Sequence, residues 1–268
     1  MNSVSYNRKK SIITDAEWFR PWFEHKAYLE LYSHREESEA KIFVETIRQL
    51  LNHAPLSKNK REILLDCCCG AGRHLNQLSK LSNTAIGMDL SFMLLKTAKN
   101  LYPNLDIVRG DLRALPFKYN SLDIITSLFT SFGYFESEKE NINVINSWSK
   151  LLRDQGLLLL DLPNATFLHS NLVPCSEKET ENFIFNEKRV FTKNKTRVVK
   201  EITVNHKYGR NKPEIFSESV RLYTHNEIVN LFKLSELSPA LFIGDYSGKI
   251  YNPDNSQRII IFAVKGTK

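Results

Sequence analysis

The chain contains few of the residues that cross-link small proteins or bind structural metals. It has four cysteines in 268 residues; Cys67, Cys68 and Cys69 are adjacent, and Cys175 stands alone. Adjacent cysteines lack the Cys-x-x-Cys spacing of a zinc site and suggest no disulfide framework. We therefore expect no metal site, and we expect these cysteines to be small turn residues in a reducing compartment.

Long apolar runs are also missing. The longest uninterrupted aliphatic stretch runs from Leu157 to Leu160, far short of the roughly 20 residues that span a bilayer. The first ten residues contain no apolar run of the signal-peptide type. The sequence thus predicts a cytoplasmic protein with no membrane partner. Its length and its 42% hydrophobic content allow one α/β core with additions.

A glycine turn lies between Ile63 and Leu90, followed by a helical pattern and a second strand. Gly70 and Gly72 let a ligand approach the backbone, and Asp89 ends the second strand, where a carboxylate can accept hydrogen bonds from ribose hydroxyls. A dinucleotide motif is excluded because Leu75 stands where its third glycine would be, and no P-loop motif occurs. The unit is predicted to hold a nucleoside, with an ordinary βαβ turn without a ligand as the alternative.

The run from Asp66 to Gly72 resembles the first motif of class I S-adenosylmethionine-dependent methyltransferases, in which an acidic residue precedes a Gly-x-Gly turn. This chain has Cys68 where that family usually has a further glycine. We therefore expect the backbone at Cys68 to avoid conformations that only glycine tolerates. Asp66, Asp89 and Asp111 lie 23 and 22 residues apart, which is the interval of successive βα units whose strand ends line one sheet edge.

The resemblance implies a site for S-adenosylmethionine at that edge. Asp66, Gly70 and Gly72 would hold its methionine end, Asp89 its ribose, and Asp111 with Leu112 its adenine. A helical cap with a tyrosine or arginine would meet its carboxylate. The full set of implied cofactor-binding residues is Tyr32, Arg35, Asp66, Cys69, Gly70, Gly72, Asp89, Leu90, Asp111, Leu112 and Leu128.

The resemblance also implies the fold: α/β, with a Rossmann-like seven-stranded methyltransferase sheet, an N-terminal helical cap and an inserted antiparallel β excursion. We place the cap at residues 1–56, the core at 57–163 and 224–268, and the insertion at 164–223. The insertion is predicted to have about three strands and to serve as a lid or a subunit contact. The protein is expected to be a monomer or a homodimer.

The insertion is basic. Residues 178–212 contain ten Lys/Arg and four Asp/Glu, against a net charge of +7 for the whole chain. This excess could bind RNA, steer an acidic small substrate, or be the solvated face of exposed strands. Aromatic RNA-binding signatures are absent, and so is the Asn/Asp-Pro-Pro-Tyr/Phe motif of base-modifying methyltransferases.

The chemistry implied by the cofactor needs the protein to align an acceptor behind an activated methyl group and to exclude water. A nearby base can assist where the acceptor must lose a proton. The catalytic candidates are Tyr134 and Asp245, and the substrate candidates are Ser131, Asn164 and Arg221. We predict methyl transfer to an O or N of a small-molecule acceptor. The alternatives are an RNA methyltransferase that uses the basic insertion and a non-catalytic cofactor-binding partner subunit.

Overall fold

The computed structural model describes residues 15–34, 37–53, 62–209 and 211–266. Its strands are β1 (Ile63–Cys67), β2 (Thr84–Asp89), β3 (Asp106–Arg109), β4 (Leu122–Ser127), β5 (Leu152–Pro163), β6 (Cys175–Glu179), β7 (Phe183–Phe191), β8 (Arg197–His206), β9 (Glu214–Arg221), β10 (Leu237–Ile243) and β11 (Arg258–Lys265). Its helices are α1 (Phe19–Phe23), α2 (Lys26–Leu31), α3 (Glu37–His53), α4 (Arg73–Leu78), α5 (Phe92–Leu101), α6 (Glu138–Leu151), α7 (Ala165–Asn171) and α8 (His225–Leu234).

Seven strands form one sheet in the order β10-β11-β5-β4-β1-β2-β3. The strands β1 to β5 run parallel, and their central members are short apolar runs that are buried on both faces. The strand β11 pairs antiparallel with both β5 and β10. This confirms the predicted seven-stranded Rossmann-like sheet, in which β11 alone runs against the others. The carboxyl ends of β1 to β4 therefore share one edge.

The side chain of Asp123 caps the first residues of β1. Asp123 Oδ2 accepts hydrogen bonds from the backbone N–H groups of Glu62 and Ile63, at 3.0 and 2.9 Å, and Arg153 Nη1 pairs with Asp123 Oδ1 at 2.9 Å. This buried carboxylate fixes where β1 enters the sheet beside β4. It lies at the amino end of the parallel strands, away from the edge where Asp66 and Asp89 lie.

A second sheet consists of β6-β7-β8-β9 in a fully antiparallel arrangement. The insertion therefore has four strands, and the prediction of about three strands missed β6. The sequence of β6 is Cys-Ser-Glu-Lys-Glu, with no apolar alternation, and the strand pairs only with β7 at the edge of the sheet. Periodicity could not identify such a strand because no face of it belongs to the core.

The short helices α1 and α2 pack against the second sheet. The Trp22 ring is fully buried and lies 4.8 Å from the Phe216 ring, centroid to centroid. The longer helix α3 packs on α4 beside the glycine turn. Aromatic side chains of α1 and α2 and the strands β8 and β9 thus stand over the carboxyl edge of the main sheet. No helix in the described ranges combines the length and apolarity that a bilayer crossing requires.

Candidate cofactor and acceptor site

Asp66 lies in β1 at the carboxyl edge of the sheet and is buried. Its Oδ1 accepts a hydrogen bond from Thr126 Oγ1 at 2.7 Å, while its Oδ2 is buried without a hydrogen-bond partner among the described residues. Burial raises the pKa of Asp66 to about 7, and the charge of Asp89 adds to the effect. A buried carboxylate oxygen with no partner is suited to receive a donor or a cation from a ligand.

The turn after β1 has left-handed backbone at three positions. Cys68 has φ +60°, Gly70 φ +56° and Gly72 φ +83°. The expectation that Cys68 would avoid this region was wrong: the turn keeps the conformation of a glycine-rich loop and strains a cysteine to do so. A Cβ at Gly72 would lie 2.9 Å from Leu105 Cδ1, whereas one at Gly70 would meet no described atom within 4 Å. Gly72 therefore allows close packing against Leu105, and Gly70 faces open space.

Asp89, at the end of β2, holds the glycine turn in place. Its Oδ2 accepts a hydrogen bond from the Gly70 N–H at 2.8 Å, and its Oδ1 accepts one from the Ser91 N–H at 2.8 Å. Burial raises the pKa of Asp89, although both backbone hydrogen bonds oppose that shift. Each oxygen keeps a further acceptor position, so the carboxylate can also receive two ligand hydroxyls.

Asp111 follows β3 and is held by two arginines. Arg113 Nη2 lies 2.7 Å from Asp111 Oδ2, and Arg20 Nη2 lies 3.1 Å from the same oxygen. Burial raises the pKa of Asp111, but hydrogen bonds and charge from Arg113, with the charge of Arg20, outweigh it and hold the pKa below its usual value. Asp111 remains ionised, and its arginine partners were not evident from the sequence.

Two joined cavities lie along this edge. The smaller has a volume of about 80 Å³ and is lined by Asp89, Leu90, Asp111, Leu112 and aromatic rings that include Phe19 and Phe135. The larger has a volume of about 620 Å³, and its walls include Asp66, Cys69, Gly70, Leu128 and Tyr32. The walls shared by both cavities are Phe23, Tyr28, Cys68, Gly70, Leu94, Ser131 and Tyr134.

The loop after β4 supplies two of those shared walls. Ser131 Oγ donates to the Leu128 carbonyl at 2.8 Å, and the Tyr134 ring packs 5.0 Å from the Trp18 ring. Phe129 and Thr130 have φ of +61° and +65°, so two successive non-glycine residues hold a left-handed backbone. Such strain is found where a site needs a particular backbone path.

A partly buried polar network forms part of the wall of the larger cavity. Glu218 Oε1 accepts hydrogen bonds from Trp22 Nε1 at 2.8 Å and from the Tyr32 hydroxyl at 2.5 Å. Lys200 Nζ pairs with Glu218 Oε2 at 2.8 Å and also donates to the Tyr32 hydroxyl. Burial raises the pKa of Glu218, but the charge of Lys200 and the hydrogen bonds outweigh it and leave the pKa lowered. Sequence reasoning missed Lys200 and Glu218, which alternate with apolar residues like any exposed strand position.

Four predicted site residues within the described ranges do not line either cavity. Gly72, whose missing side chain allows close packing, is one of them, and the other three are Asn164, Arg221 and Asp245. Asn164 caps α7, and its Nδ2 donates to the carbonyls of Pro253 and Ser256, both at 2.7 Å. Arg221 Nη2 pairs with Glu227 at 2.5 Å, and Asp245 accepts bonds within its own turn from Ser247. The side chains of Asn164, Arg221 and Asp245 each make local structural contacts, so the structure does not bring them to the site. Arg35 lies outside the described residues.

The comparisons with known proteins fit this geometry. The model of a family described as a methyltransferase domain matches residues 64–156. An S-adenosylmethionine-dependent methyltransferase structure from Clostridium acetobutylicum superposes with a TM-score of 0.74 at 17% identity, covering 89% of this chain and 96% of that one. Residues 64–156 thus match a methyltransferase domain, and the chain shares the fold of S-adenosylmethionine-dependent methyltransferase structures. A sugar N-methyltransferase structure from Streptoalloteichus sp. aligns with the whole of this chain at TM-score 0.70 and 14% identity, with 99% of that chain covered.

The proteins that are related by sequence carry names that describe different activities or none. An uncharacterized protein from Methanocaldococcus jannaschii is 27% identical over 60% of this chain and 68% of its own length. A dTDP-3-amino-3,4,6-trideoxy-alpha-D-glucopyranose N,N-dimethyltransferase from Streptomyces venezuelae is 29% identical over 37% of this chain and 41% of its own. A Bacillus subtilis protein provisionally named a 23S rRNA (guanine-N(1)-)-methyltransferase is 26% identical over 62% and 53%. The matches to the last two thus span about half of each relative.

Proposed function

We infer that this protein transfers a methyl group from S-adenosylmethionine to an oxygen or nitrogen of a small-molecule acceptor. The observation that carries this proposal is the convergence of Asp66, Asp89 and Asp111 on two joined cavities at the carboxyl edge of the sheet. Ligands of open α/β sheets bind at that edge. The larger cavity, at about 620 Å³, is within the range of small-molecule sites.

The residues present suit this cofactor. The unpartnered Asp66 Oδ2 suits a cationic amino group, and the open space at Gly70 suits a chain that passes close to the backbone. Asp89 has acceptor positions left for two ribose hydroxyls, and Leu112 with the aromatic rings of the smaller cavity suits a flat base. When bound, the cofactor supplies an electrophilic methyl group.

The remaining work of the chain is to position the acceptor and to exclude water. Ser131 and Tyr134 line both cavities, so they stand where the cofactor and acceptor spaces meet. Trp18 and Phe23 from the cap cover that junction, which lowers access of water to the reacting atoms. The Tyr134 hydroxyl is our candidate for contact with the acceptor, as the sequence predicted. The carboxylate of Asp245 accepts hydrogen bonds within its own turn and does not line either cavity, so it has no place in this proposal.

The composition of the walls of the larger cavity supports a small acceptor. Helices α1 and α2 and strands β8 and β9 contribute residues to its walls, and the side chains of Lys200, Glu218 and Tyr32 in that wall pair with one another. One protein described above is named a sugar N-methyltransferase and another an N,N-dimethyltransferase of a dTDP-linked amino sugar, and these names support a sugar acceptor here.

RNA is the second candidate, and the relative named for 23S rRNA favours it. The basic insertion gives it less support than its charge suggests. Several of its cations are paired within the structure: Arg189 with Glu187 at 2.9 Å, Lys200 with Glu187 at 3.1 Å, and Lys207 with Glu179 at 2.6 Å. Paired cations contribute little to phosphate binding, because they release no counterions from RNA without first breaking their ion pairs.

The test is a transfer assay with methyl-labelled S-adenosylmethionine and a cell extract divided into small-molecule, RNA and protein fractions. The proposal predicts label in the small-molecule fraction, lost when heat-denatured protein is used. Label in RNA, with affinity for RNA that falls linearly on a log–log plot against salt, would establish the second candidate. Tight cofactor binding without transfer to any fraction would indicate a non-catalytic subunit.

A further inference from the structure

The loop after β4, residues 128–135, leaves the main sheet beside Asp161. The pairing of β4 with β5 ends at Ser127 and Leu160, so Asp161 is the next residue of β5 beyond the last pair. Its Oδ2 accepts a hydrogen bond from the Phe129 N–H at 2.8 Å, and its carbonyl accepts one from the Thr130 N–H at 3.1 Å. One residue of β5 thus holds two successive N–H groups of the loop.

The Asp161 carboxylate is itself fixed in orientation. It is fully buried, and its Oδ1 accepts a hydrogen bond from Arg258 Nε at 2.5 Å. The Tyr246 hydroxyl donates to its Oδ2 at 2.9 Å. Burial and the charge of Asp161 raise the pKa of Tyr246, so this hydroxyl keeps its proton and remains a donor. Arg258 and Tyr246 therefore hold the carboxylate toward the loop.

The two residues that Asp161 holds have a backbone conformation that costs free energy. Phe129 and Thr130 have φ of +61° and +65°. A positive φ is disfavoured for a residue with a Cβ, and most of all for a β-branched one such as threonine. Such a backbone persists only where neighbouring groups impose it. The ion pair of Asp161 with Arg258 needs no bond to the loop, whereas the two bonds from Asp161 act directly on these two residues.

The path of the loop at its two left-handed residues decides where the next residues lie. Ser131 follows directly, Tyr134 comes three residues later, and both line the two cavities. In the part of the chain that the structure describes, Asp161 lines neither cavity, so it acts on a ligand only through the loop. The later carbonyls of the loop are held from the second sheet instead. The start of the loop therefore depends on β5.

We propose that Asp161 is a positioning residue for methyl transfer. It imposes the left-handed backbone at Phe129 and Thr130. The loop then presents Ser131 and Tyr134 at the junction of the cofactor and acceptor spaces. The role in transfer rests on the proposed function, whereas the control of the loop rests on the contacts of Asp161 alone.

Tryptophan rings beside the loop allow its position to be measured by fluorine NMR on protein labelled with fluorotryptophan. The chain has three tryptophans. The Trp18 ring lies 5.0 Å from the Tyr134 ring, and the Trp148 ring lies 5.6 Å from the Phe132 ring, so both report on the loop. Trp22 packs against the second sheet and is the internal reference. Substitution of each tryptophan by phenylalanine assigns the three resonances.

The variant Asp161→Asn keeps the size of the side chain but loses its charge and one acceptor oxygen. The Trp18 and Trp148 resonances should shift, and the Trp22 resonance should not. The rate of labelled methyl transfer in the extract assay should fall by about tenfold or more, because small displacements of positioning groups are costly to the rate.

Asp123→Asn is the matched control. Asp123 is also buried, pairs with an arginine and accepts two backbone N–H groups, but it lies at the opposite edge of the sheet. Its substitution should leave the Trp18 and Trp148 resonances and the rate unchanged. Unmoved resonances in Asp161→Asn, equal shifts in both variants, or an unchanged rate in Asp161→Asn overturn the proposal.

A glycine rescue separates control of the backbone from loss of the ion pair. Phe129→Gly and Phe129→Ala both remove the ring, but only glycine adopts a left-handed backbone without strain. When Asp161→Asn is added to each, the Trp18 and Trp148 resonances should stay in place in the glycine variant and shift in the alanine variant. If Asp161→Asn alone fails to fold, glycine should restore folding and alanine should not. Equal behaviour of the two double variants overturns the proposal.

Failure of the proposed function gives a different result. If the wild-type protein transfers label to no fraction of the extract, the proposed function fails. The tryptophan resonances of Asp161→Asn and Asp123→Asn, together with the glycine rescue, then still decide whether Asp161 holds the loop.

Discussion

Arg197 Nη1, on the second sheet, donates a hydrogen bond at 3.0 Å to the carbonyl of Phe135, in the loop after β4. Its Nη2 donates to the carbonyls of Gly133 and Tyr134, at 3.1 and 3.0 Å. Three carbonyls within one short segment are thus held by one guanidinium, whose Nε donates to Ser219 Oγ at 3.0 Å. The insertion therefore does more than cover the site, because it fixes the loop that carries Tyr134.

Substituting Arg197 by alanine should loosen this loop. The variant leaves partly buried carbonyls without a donor, and we expect the free energy of unfolding to fall by roughly 2–4 kcal/mol in urea titrations. S-adenosylhomocysteine binding should weaken as well, because Ser131 and Tyr134 line both cavities. Lys188→Ala, an exposed cation on β7 of the same sheet, is the control and should change neither quantity. Equal effects of both substitutions would contradict the account.

Replacing Asp89 by alanine should weaken binding of S-adenosylhomocysteine by roughly 1–3 kcal/mol, because the ribose hydroxyls lose a charged acceptor. The structure adds a second effect: the Gly70 and Ser91 N–H groups lose their acceptor, so unfolding should also occur at lower temperature. Calorimetry and thermal melts measure the two effects separately. Asp106→Ala removes an exposed carboxylate from β3 and serves as the control. If the affinity of Asp89→Ala for S-adenosylhomocysteine is unchanged, the ribose does not bind to the Asp89 carboxylate.

The stability of the free protein should depend on pH through Asp66. Its folded-state pKa of about 7 lies above the ordinary value of 3.8, so the folded state holds the proton more tightly than the unfolded chain. The stability contributed by protonated Asp66 is complete below about pH 4 and is lost as the pH rises through 7, with a slope of up to about 1.4 kcal/mol per pH unit.

Urea titrations of wild type and Asp66→Asn between pH 4.5 and 8 test this dependence. The difference in unfolding free energy between the two proteins should shift in favour of Asn as the pH rises from 4.5 to about 7 and then level off, because the amide does not ionise. A difference that stays constant with pH would show that Asp66 titrates normally in the folded protein.

The strained backbone at Cys68 gives a further prediction. With φ at +60°, a β-branched residue is a poor fit, and Cys68→Val should destabilise the protein by about 1–2 kcal/mol. Cys68→Gly removes the strain at the expense of a more flexible unfolded chain, so it should be neutral or stabilising by up to about 1 kcal/mol. Cys68→Ser keeps the size and should match wild type. Denaturation midpoints measure all three, and a valine variant as stable as the serine variant would contradict the strain.

Sequence patterns could predict the main sheet because its signals are local. These signals lie within one βαβ unit: the apolar run before Asp66, the glycines Gly70 and Gly72, and the carboxylate of Asp89. Each strand of this unit has, at or next to its end, an acidic residue that can bind a ligand at the carboxyl edge of the sheet. The edge strand β6 gave no such signal, since it is polar on both faces.

The acceptor side of the site could not be predicted in the same way. Lys200 and Glu218 are cross-strand partners on β8 and β9, whereas Arg258 comes from the distant strand β11. Their presence in one cavity wall depends on how the second sheet and β11 are placed. Asn164 and Asp245 have the residue types of an active site and follow strand ends, yet their side chains cap a helix and a turn. Asn and Asp favour caps and turns for reasons unrelated to catalysis.

The central claim is that the joined cavities hold an S-adenosyl cofactor, and ligand discrimination by the wild-type protein tests it most directly. Calorimetric titration with S-adenosylhomocysteine, NADH and ATP should give one-to-one binding of S-adenosylhomocysteine and no saturable heat with the other two. Saturable binding of NADH or ATP in place of S-adenosylhomocysteine would contradict the account.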